Sequence, residues 1–186
     1  MWTKTGRENR IGTGKIIELI EYEVDLGNKK KMFELARRAP WVRLIFEHQD
    51  TFLLTREYRG EYDGYDYRLP GGKVFDTIGE YRSFSGDLLA AARDSAIMES
   101  KQECGIVVTR EHLELLKISH CGAMIEWDLY YFIVRDFELT HEQDLGEGES
   151  ITYDWYTRDA IIELIQKWEM SEDRSIGVLL PYLIRE

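Results

Sequence analysis

An α/β sandwich on a mixed sheet is the architecture that this 186-residue sequence calls for. Three observations carry that expectation. Strand-length apolar segments recur along the chain, one long segment carries helix start and stop signals, and the two kinds of segment mix without strict strand–helix–strand alternation. A doubly wound parallel sheet would require that alternation.

The elements follow in order. Lys15 to Val24 reads as a strand, and Asp25-Leu26-Gly27-Asn28 as a turn, because Gly and Asn tolerate positive φ. Lys30 to Arg38 fits the returning strand of a hairpin, although its apolar spacing leaves helix and strand both open. Val42 to Phe46 is a short apolar run, His48 to Asp50 a turn, and Phe52 to Arg59 the next strand. Gly60 to Asp66 reads as loop. Leu69-Pro70-Gly71-Gly72 is a turn whose two glycines let backbone approach a neighbour closely.

Asp87 to Cys104 is the strongest helical segment, started by Gly86 and Asp87 and stopped by Gly105. Glu111 to Lys117 is a short helix or the start of a strand. Trp127 to Phe137 alternates aromatic and branched residues and reads as a strand. Leu139 to Ser150 is an acidic, glycine-containing loop, and Ile151 to Tyr156 is a last strand. Thr157 is placed to cap a helix reaching Trp168, with Ile161, Leu164, Ile165 and Trp168 on one face. Ser171 or Asp173 would cap a final short helix bounded or interrupted by Pro181.

Composition narrows the function. With 44% hydrophobic and 32% charged residues the chain is globular and long enough to bury a core without covalent staples. Its 35 acidic and 24 basic residues leave a net charge of -11, which argues against nucleic acid as a partner but suits divalent cations. Cys104 and Cys121 lie in unrelated contexts with no CxxC, so zinc is not expected. They read as two thiols, a single disulfide being the alternative. The polar N-terminus and the absence of a membrane-length apolar run lead to an expectation of a cytoplasmic chain with no membrane partner.

Projected at 3.6 residues per turn, the main helix places Ala92, Ala96, Glu99 and Glu103 on one narrow stripe. Glu99 and Glu103 stand at i and i+4, so their carboxylates are neighbours and repel unless a cation lies between them. Oxygen ligands of this kind suit Mg²⁺ or Mn²⁺. An isolated E-x-x-x-E is usually a solvated acidic face, and what distinguishes this one is its context.

The run from Ser95 to Ile106, with Glu99, Glu103 and Gly105, resembles the end of the Nudix box, whose pattern closes A-A-x-R-E-U-x-E-E-x-G-U with U aliphatic. Leu69-Pro70-Gly71-Gly72-Lys73 resembles the turn that opens the same box. Leu54 to Arg59 resembles a strand of the ADP-ribose pyrophosphatase-like branch, and Glu149 to Trp155 its acidic loop and following strand. The resemblance spans about residues 40–170 and implies a Nudix α/β/α sandwich. There are departures. Met98 stands where the family usually has arginine, Gln102 where it has glutamate, and Ser100 where it has an aliphatic residue. An earlier box glutamate would fall on Ala90, unless Gly79-Glu80 is that pair displaced by an insertion.

The resemblance implies hydrolysis of a nucleoside diphosphate linked to a second moiety, of the ADP-ribose or nucleotide-sugar type. Glu99, Glu103 and the carbonyl of Gly72 would hold Mg²⁺ or Mn²⁺. Glu99, Glu147 or Glu149 would serve as general base. Arg56 and Arg59 would contact phosphate, and Gly71 would lie against substrate. Aromatics near Gly72 or on the Trp127 strand are candidates to stack on a base. His112, His120 and His141 show no ligand spacing. With Met98 and Gln102 in place, activity below that of a full box is expected; the alternative is a Nudix-like module that binds nucleotide and turns it over poorly. Residues 1–40 precede the core domain, 41–186, as a β extension, and relatives use such a segment to form a homodimer, which is the assembly expected here.

Overall fold

The computed structural model describes residues 2–60, 63–140, 142–146 and 150–185. Three strands open the chain, β1 (Thr3–Thr13), β2 (Ile17–Asp25) and β3 (Lys30–Arg38). There follow β4 (Trp41–His48), β5 (Thr51–Arg59), β6 (Gly64–Arg68), helices α1 (Ile78–Ser83) and α2 (Leu88–Cys104), and the short β7 (Ile106–Val107). The second half holds β8 (Glu114–Gly122), β9 (Ile125–Val134), β10 (Glu138–Leu139), β11 (Ile151–Thr157), α3 (Arg158–Gln166) and α4 (Asp173–Leu183).

The large sheet runs β1-β2-β3-β9-β4-β5-β11, with β6 added on β5 and β8 on β9. It is mixed, as expected: β9 lies parallel to both β3 and β4, while the other pairs are antiparallel. The second sheet is the two-residue pairing of β10 with β7.

Strand alternation divides the core into two layers. Val42, Leu44 and Phe46 of β4, Leu53 of β5, and Tyr130, Phe132 and Val134 of β9 pack with Ala92, Ala96 and Cys104 of α2. The residues between them, Ile45, Phe52, Leu54, Leu129, Tyr131 and Ile133, face Ile161 of α3 and Val178, Leu179, Tyr182 and Leu183 of α4. The architecture is therefore an α/β/α sandwich. The first three strands are continuous with it through Ala36 and Arg37 of β3, which pair with Ile125 and Glu126.

Several boundaries differ from the sequence expectation. The segment read as loop becomes strand at Gly64, where β6 buries Asp66 beneath Ser171, whose N–H and hydroxyl both donate to that carboxylate at 2.8 Å. The helix capped by Thr157 stops at Gln166, and Trp168 stands exposed with a φ of 62° rather than on the buried face. The N-cap of α4 is Glu172, which makes no side-chain cap bond. Pro181 lies in the last turn of α4. Cys104 is buried, Cys121 is exposed, and both are free thiols. Among the described residues no helix is long and apolar enough to cross a membrane.

Candidate functional site

Helix α2 begins on the Asp87 carboxylate, which accepts from the Leu89 N–H at 2.9 Å. It ends on Gly105, whose φ of 60° turns its N–H back to the carbonyls of Lys101 and Ser100. Buried small residues, Ala92, Ser95, Ala96 and Ser100, let its backbone come close to β4. Ser100, at a position where an aliphatic side chain was the family expectation, donates to the carbonyl of Ile106 at 2.5 Å. Met98 and Gln102 are exposed.

The turn after β6 lies alongside β4. Leu44 donates to the Pro70 carbonyl and Val42 to that of Gly72, both at 2.9 Å. Gly71 adopts a φ of 140°, and a Cβ there would run into the Val42 carbonyl, so only glycine fits without displacement. Gly72 is constrained from the other side, since a Cβ there would overlap the Glu99 carboxylate.

Turn and helix are joined along one stripe of α2, at i, i+4 and i+8. Ser95 donates to the carbonyl of Lys73 at 2.7 Å. Glu99 packs against Gly72. The N–H of Gly71 donates to Glu103 Oε2 at 2.8 Å. The alanines expected beneath the carboxylates supply the close approach, and Ser95, unassigned from sequence, completes the joint.

The pair is electrostatically strained. Burial pushes the Glu103 carboxyl up to about 8; the Gly71 N–H opposes this, the negative charge of Glu99 adds to it, Arg43 counters, and Glu57 adds again. Glu57 and Arg59 of β5 form an ion pair at 2.6 Å, and the Arg59 Nε is shielded from solvent with no hydrogen-bond partner among the described residues. Both share the strand face of Leu53, the α2 side. Arg56 does not join them. Its guanidinium lies 3.7 Å from the Tyr65 ring centroid and 6.0 Å from that of Tyr67, on the α3–α4 face. Glu57 escaped sequence reasoning, although strand parity from Leu53 would have put it beside α2.

Arg43 also escaped it, being one charge inside an apolar run. It is 2% exposed. It donates to the carbonyls of Val42 (3.2 Å) and Gly71 (3.0 Å), and both Glu172 oxygens accept from it at 2.8 Å. Burial alone would raise the Glu172 carboxyl, but the Arg43 guanidinium outweighs it and, with Ser175, holds the group at about 2.

The segment after β10 is tied to the end of α2. Gln143 donates to the carbonyls of Glu103 (2.5 Å) and Ile151 (3.2 Å), and the Asp144 N–H donates to the carbonyl of Gln102. Glu147 and Glu149 lie outside the described residues, as does His141. Glu80 sits in α1, where it accepts from the Asp76 N–H at 3.0 Å, and is not drawn to the carboxylate pair. No group of three or more His, Cys, Asp or Glu side chains is close enough to hold a metal among the described residues. Among the described residues the oxygen donors at the joint of turn and helix are the Glu99 and Glu103 carboxylates and the turn carbonyls, with Glu57 near enough for its charge to act on Glu103.

In comparison with solved structures, the chain superposes on an ADP compounds hydrolase with a TM-score of 0.71, over 99% of this chain and 92% of that one. The sequences are 16% identical, so the likeness establishes the fold. No family model matches the sequence, and no curated protein matches it.

Proposed function

We propose that this protein is a Nudix-type hydrolase that cleaves a nucleoside diphosphate linked to a second moiety, of the ADP-ribose or nucleotide-sugar kind. One observation carries the reading. The turn 69–72 carries no side chain at its tip, and α2 brings two carboxylates to it, Glu99 in the space beside Gly72 and Glu103 held by the Gly71 N–H. Keeping two acidic groups together at the cost of a raised Glu103 is otherwise unfavourable. The fold shared with an ADP compounds hydrolase supports it.

The donor set suits a hard divalent cation, Mg²⁺ or Mn²⁺, held by Glu99, Glu103 and the Gly72 carbonyl. Such an ion, when bound, offsets diphosphate charge and activates water. The rest falls to the chain. In the hydrolysis, water forms a bond to one phosphorus, the bond from that phosphorus to the bridging oxygen breaks, and the second phosphate leaves. Glu99, or Glu147 or Glu149 of the acidic loop, takes the water's proton. Arg59, on the α2 side of β5, contributes a donor unfilled among the described residues, as a phosphate contact requires. Gly71 serves the site through its N–H to Glu103, its side-chain space being taken by the Val42 carbonyl and its own carbonyl by Arg43. Arg56 reaches a phosphate only from the other face of the sheet.

A second reading, nucleotide binding with poor turnover, draws on Met98, 58% exposed and uncharged where an orienting arginine is usual, and on the exposed Gln102. A hydrolysis screen of ADP-ribose, nucleotide sugars, dinucleotides and nucleoside triphosphates with Mg²⁺ or Mn²⁺ separates the two. We expect two monophosphates from an ADP-ribose-type substrate, and a loss of about a hundredfold or more in Glu103→Gln. Binding without cleavage of any candidate would favour the second reading, and neither binding nor cleavage would overturn both.

The same proposal includes a homodimer. The N-terminal strands expose Ile11, Ile17 and Leu19, apolar residues that a second copy would cover.

A further inference from the structure

On the sheet face away from the carboxylate pair, the end of β3, the start of β9 and the first turn of α4 bring two arginines onto one indole. The Arg38 guanidinium lies 4.4 Å from the Trp127 ring centroid and 4.5 Å from that of Trp41. Arg174 lies 5.0 Å from the Trp127 centroid. Ser119 anchors Arg174, its carbonyl accepting from Nη2 and its hydroxyl from Nε at 3.4 Å.

Three donors here have no acceptor among the described residues. Arg38 Nε, Arg174 Nη1 and Trp127 Nε1 are shielded from solvent and unpartnered among the described residues. Buried donors are nearly always satisfied, and three orphans around one ring are a concentrated exception. Stacking on indole accounts for the guanidinium planes but not for in-plane N–H groups. The carboxylate whose charge acts on Arg38 is that of Glu172, and Glu172 is already committed to Arg43 Nε and Nη2 and to Ser175. Burial lowers the Arg38 pKa, and the like charge of Arg43 lowers it further. A chain with 35 acidic residues has thus placed no hydrogen-bonding carboxylate on Arg38 or Arg174 among the described residues. All three residues are half-buried rather than sealed, so a side-chain rotation of either arginine is enough to open the shielded donors to an ion from solvent.

We propose that Arg38, Arg174 and Trp127 form a binding site for a phosphate-type oxyanion, separate from the carboxylate pair. The missing component is an anionic acceptor with several oxygens. A phosphate group supplies it, and guanidinium forks match its geometry. The source is either free inorganic phosphate or the phosphate of a nucleotide monoester.

The test follows the indole N–H signals of ¹⁵N-labelled full-length protein by NMR, in EDTA, while potassium phosphate replaces potassium chloride at constant ionic strength. The Trp127 signal is assigned by its loss in Trp127→Phe. A saturable shift of that signal is expected. The dissociation constant should rise about tenfold in Arg38→Gln and in Arg174→Gln, since each removes a charge-assisted donor. Arg38→Lys guards against misfolding: it keeps the charge and loses the fork, and intermediate affinity is expected. A second titration with AMP identifies the source, tighter binding of AMP pointing to a nucleotide phosphate and equal or weaker binding to the free ion. The Glu99→Gln/Glu103→Gln variant should bind as the parent does, which keeps the outcome independent of the proposed hydrolysis. An unmoved Trp127 signal, an equal response to chloride, or unchanged affinity in both glutamine variants overturns the proposal.

Discussion

Gly72 carries no side chain, and Glu99 occupies the space one would take. The two glycines of the turn therefore fail in different ways when replaced. Gly71→Ala meets a positive φ and a backbone carbonyl, and should cost about 2 kcal/mol or more in urea unfolding. Gly72→Ala meets a carboxylate that can swing away, so stability should change little while Mn²⁺ affinity, read by paramagnetic titration, falls several-fold. Equal losses of stability in the two variants would contradict this account. Glu103 gives a pH-dependent prediction. Its folded value of about 8 lies above the ordinary 4.5, so ionisation favours the unfolded chain. The destabilisation is absent below pH 4.5, grows as pH rises through the window to 8, and is constant beyond. Glu103→Gln removes it. Relative to the metal-free parent, the variant should gain stability with rising pH, by at most about 1.4 kcal/mol per pH unit within that window. A stability difference that stays flat from pH 5 to 8 would show that Glu103 is not held in a carboxyl-unfriendly place.

Helix α2 was readable to within a residue because both of its ends are chemical: an aspartate that caps, and a glycine in the left-handed region that stops. Its carboxylate stripe was readable for the same reason, since helical spacing alone places Glu99 and Glu103 together. The stop has a further constraint. A Cβ on Gly105 would come within 2.7 Å of the Glu142 backbone, at the start of the segment that bonds the end of α2. Gly105→Ala should lower stability by about 1–3 kcal/mol and loosen residues 142–144, seen as faster amide exchange at Asp144. Unchanged exchange would separate the stop from the loop. Other elements gave no such signal. All eleven residues of β1 are exposed, so no burial alternation is written into Thr3–Thr13. Lys30–Arg38 left helix and strand open because exposed lysines and a lone buried Leu35 set no period; pairing with β2 and β9 decides it. Helix α1 has six residues, too few to show periodicity. Arg43 was hidden by its neighbours, since nothing in an apolar run announces which single charge is paired across the fold with a residue 129 positions away.

The whole chain presents one long β surface whose far end is N-terminal and exposed. A dimer formed there should give twice the 21.9 kDa chain mass by light scattering at micromolar concentration. Ile17→Asp with Leu19→Asp should return the single mass while leaving the helical circular dichroism intact; a monomeric parent would rule out this assembly. The opposite end of the molecule holds a different kind of connection. Arg43 touches the carbonyl of Gly71, next to the Glu103 contact, and the carboxylate of Glu172, where α4 begins. One buried cation thereby spans the thickness of the sheet and answers to both layers of helices. Free-energy linkage is reciprocal, so an occupant that tightens the 69–72 turn must also tighten what Glu172 holds. The N–H groups of Ser175 and Ile176, which donate to the Glu172 carbonyl at 2.9 and 3.0 Å, are the reporters of that link. Their exchange with deuterated solvent should slow when Mn²⁺ is added and should become indifferent to Mn²⁺ in Arg43→Met. The first turn of α4, remote in sequence from the carboxylates and on the other side of the sheet, then works as a gauge of whether they are occupied.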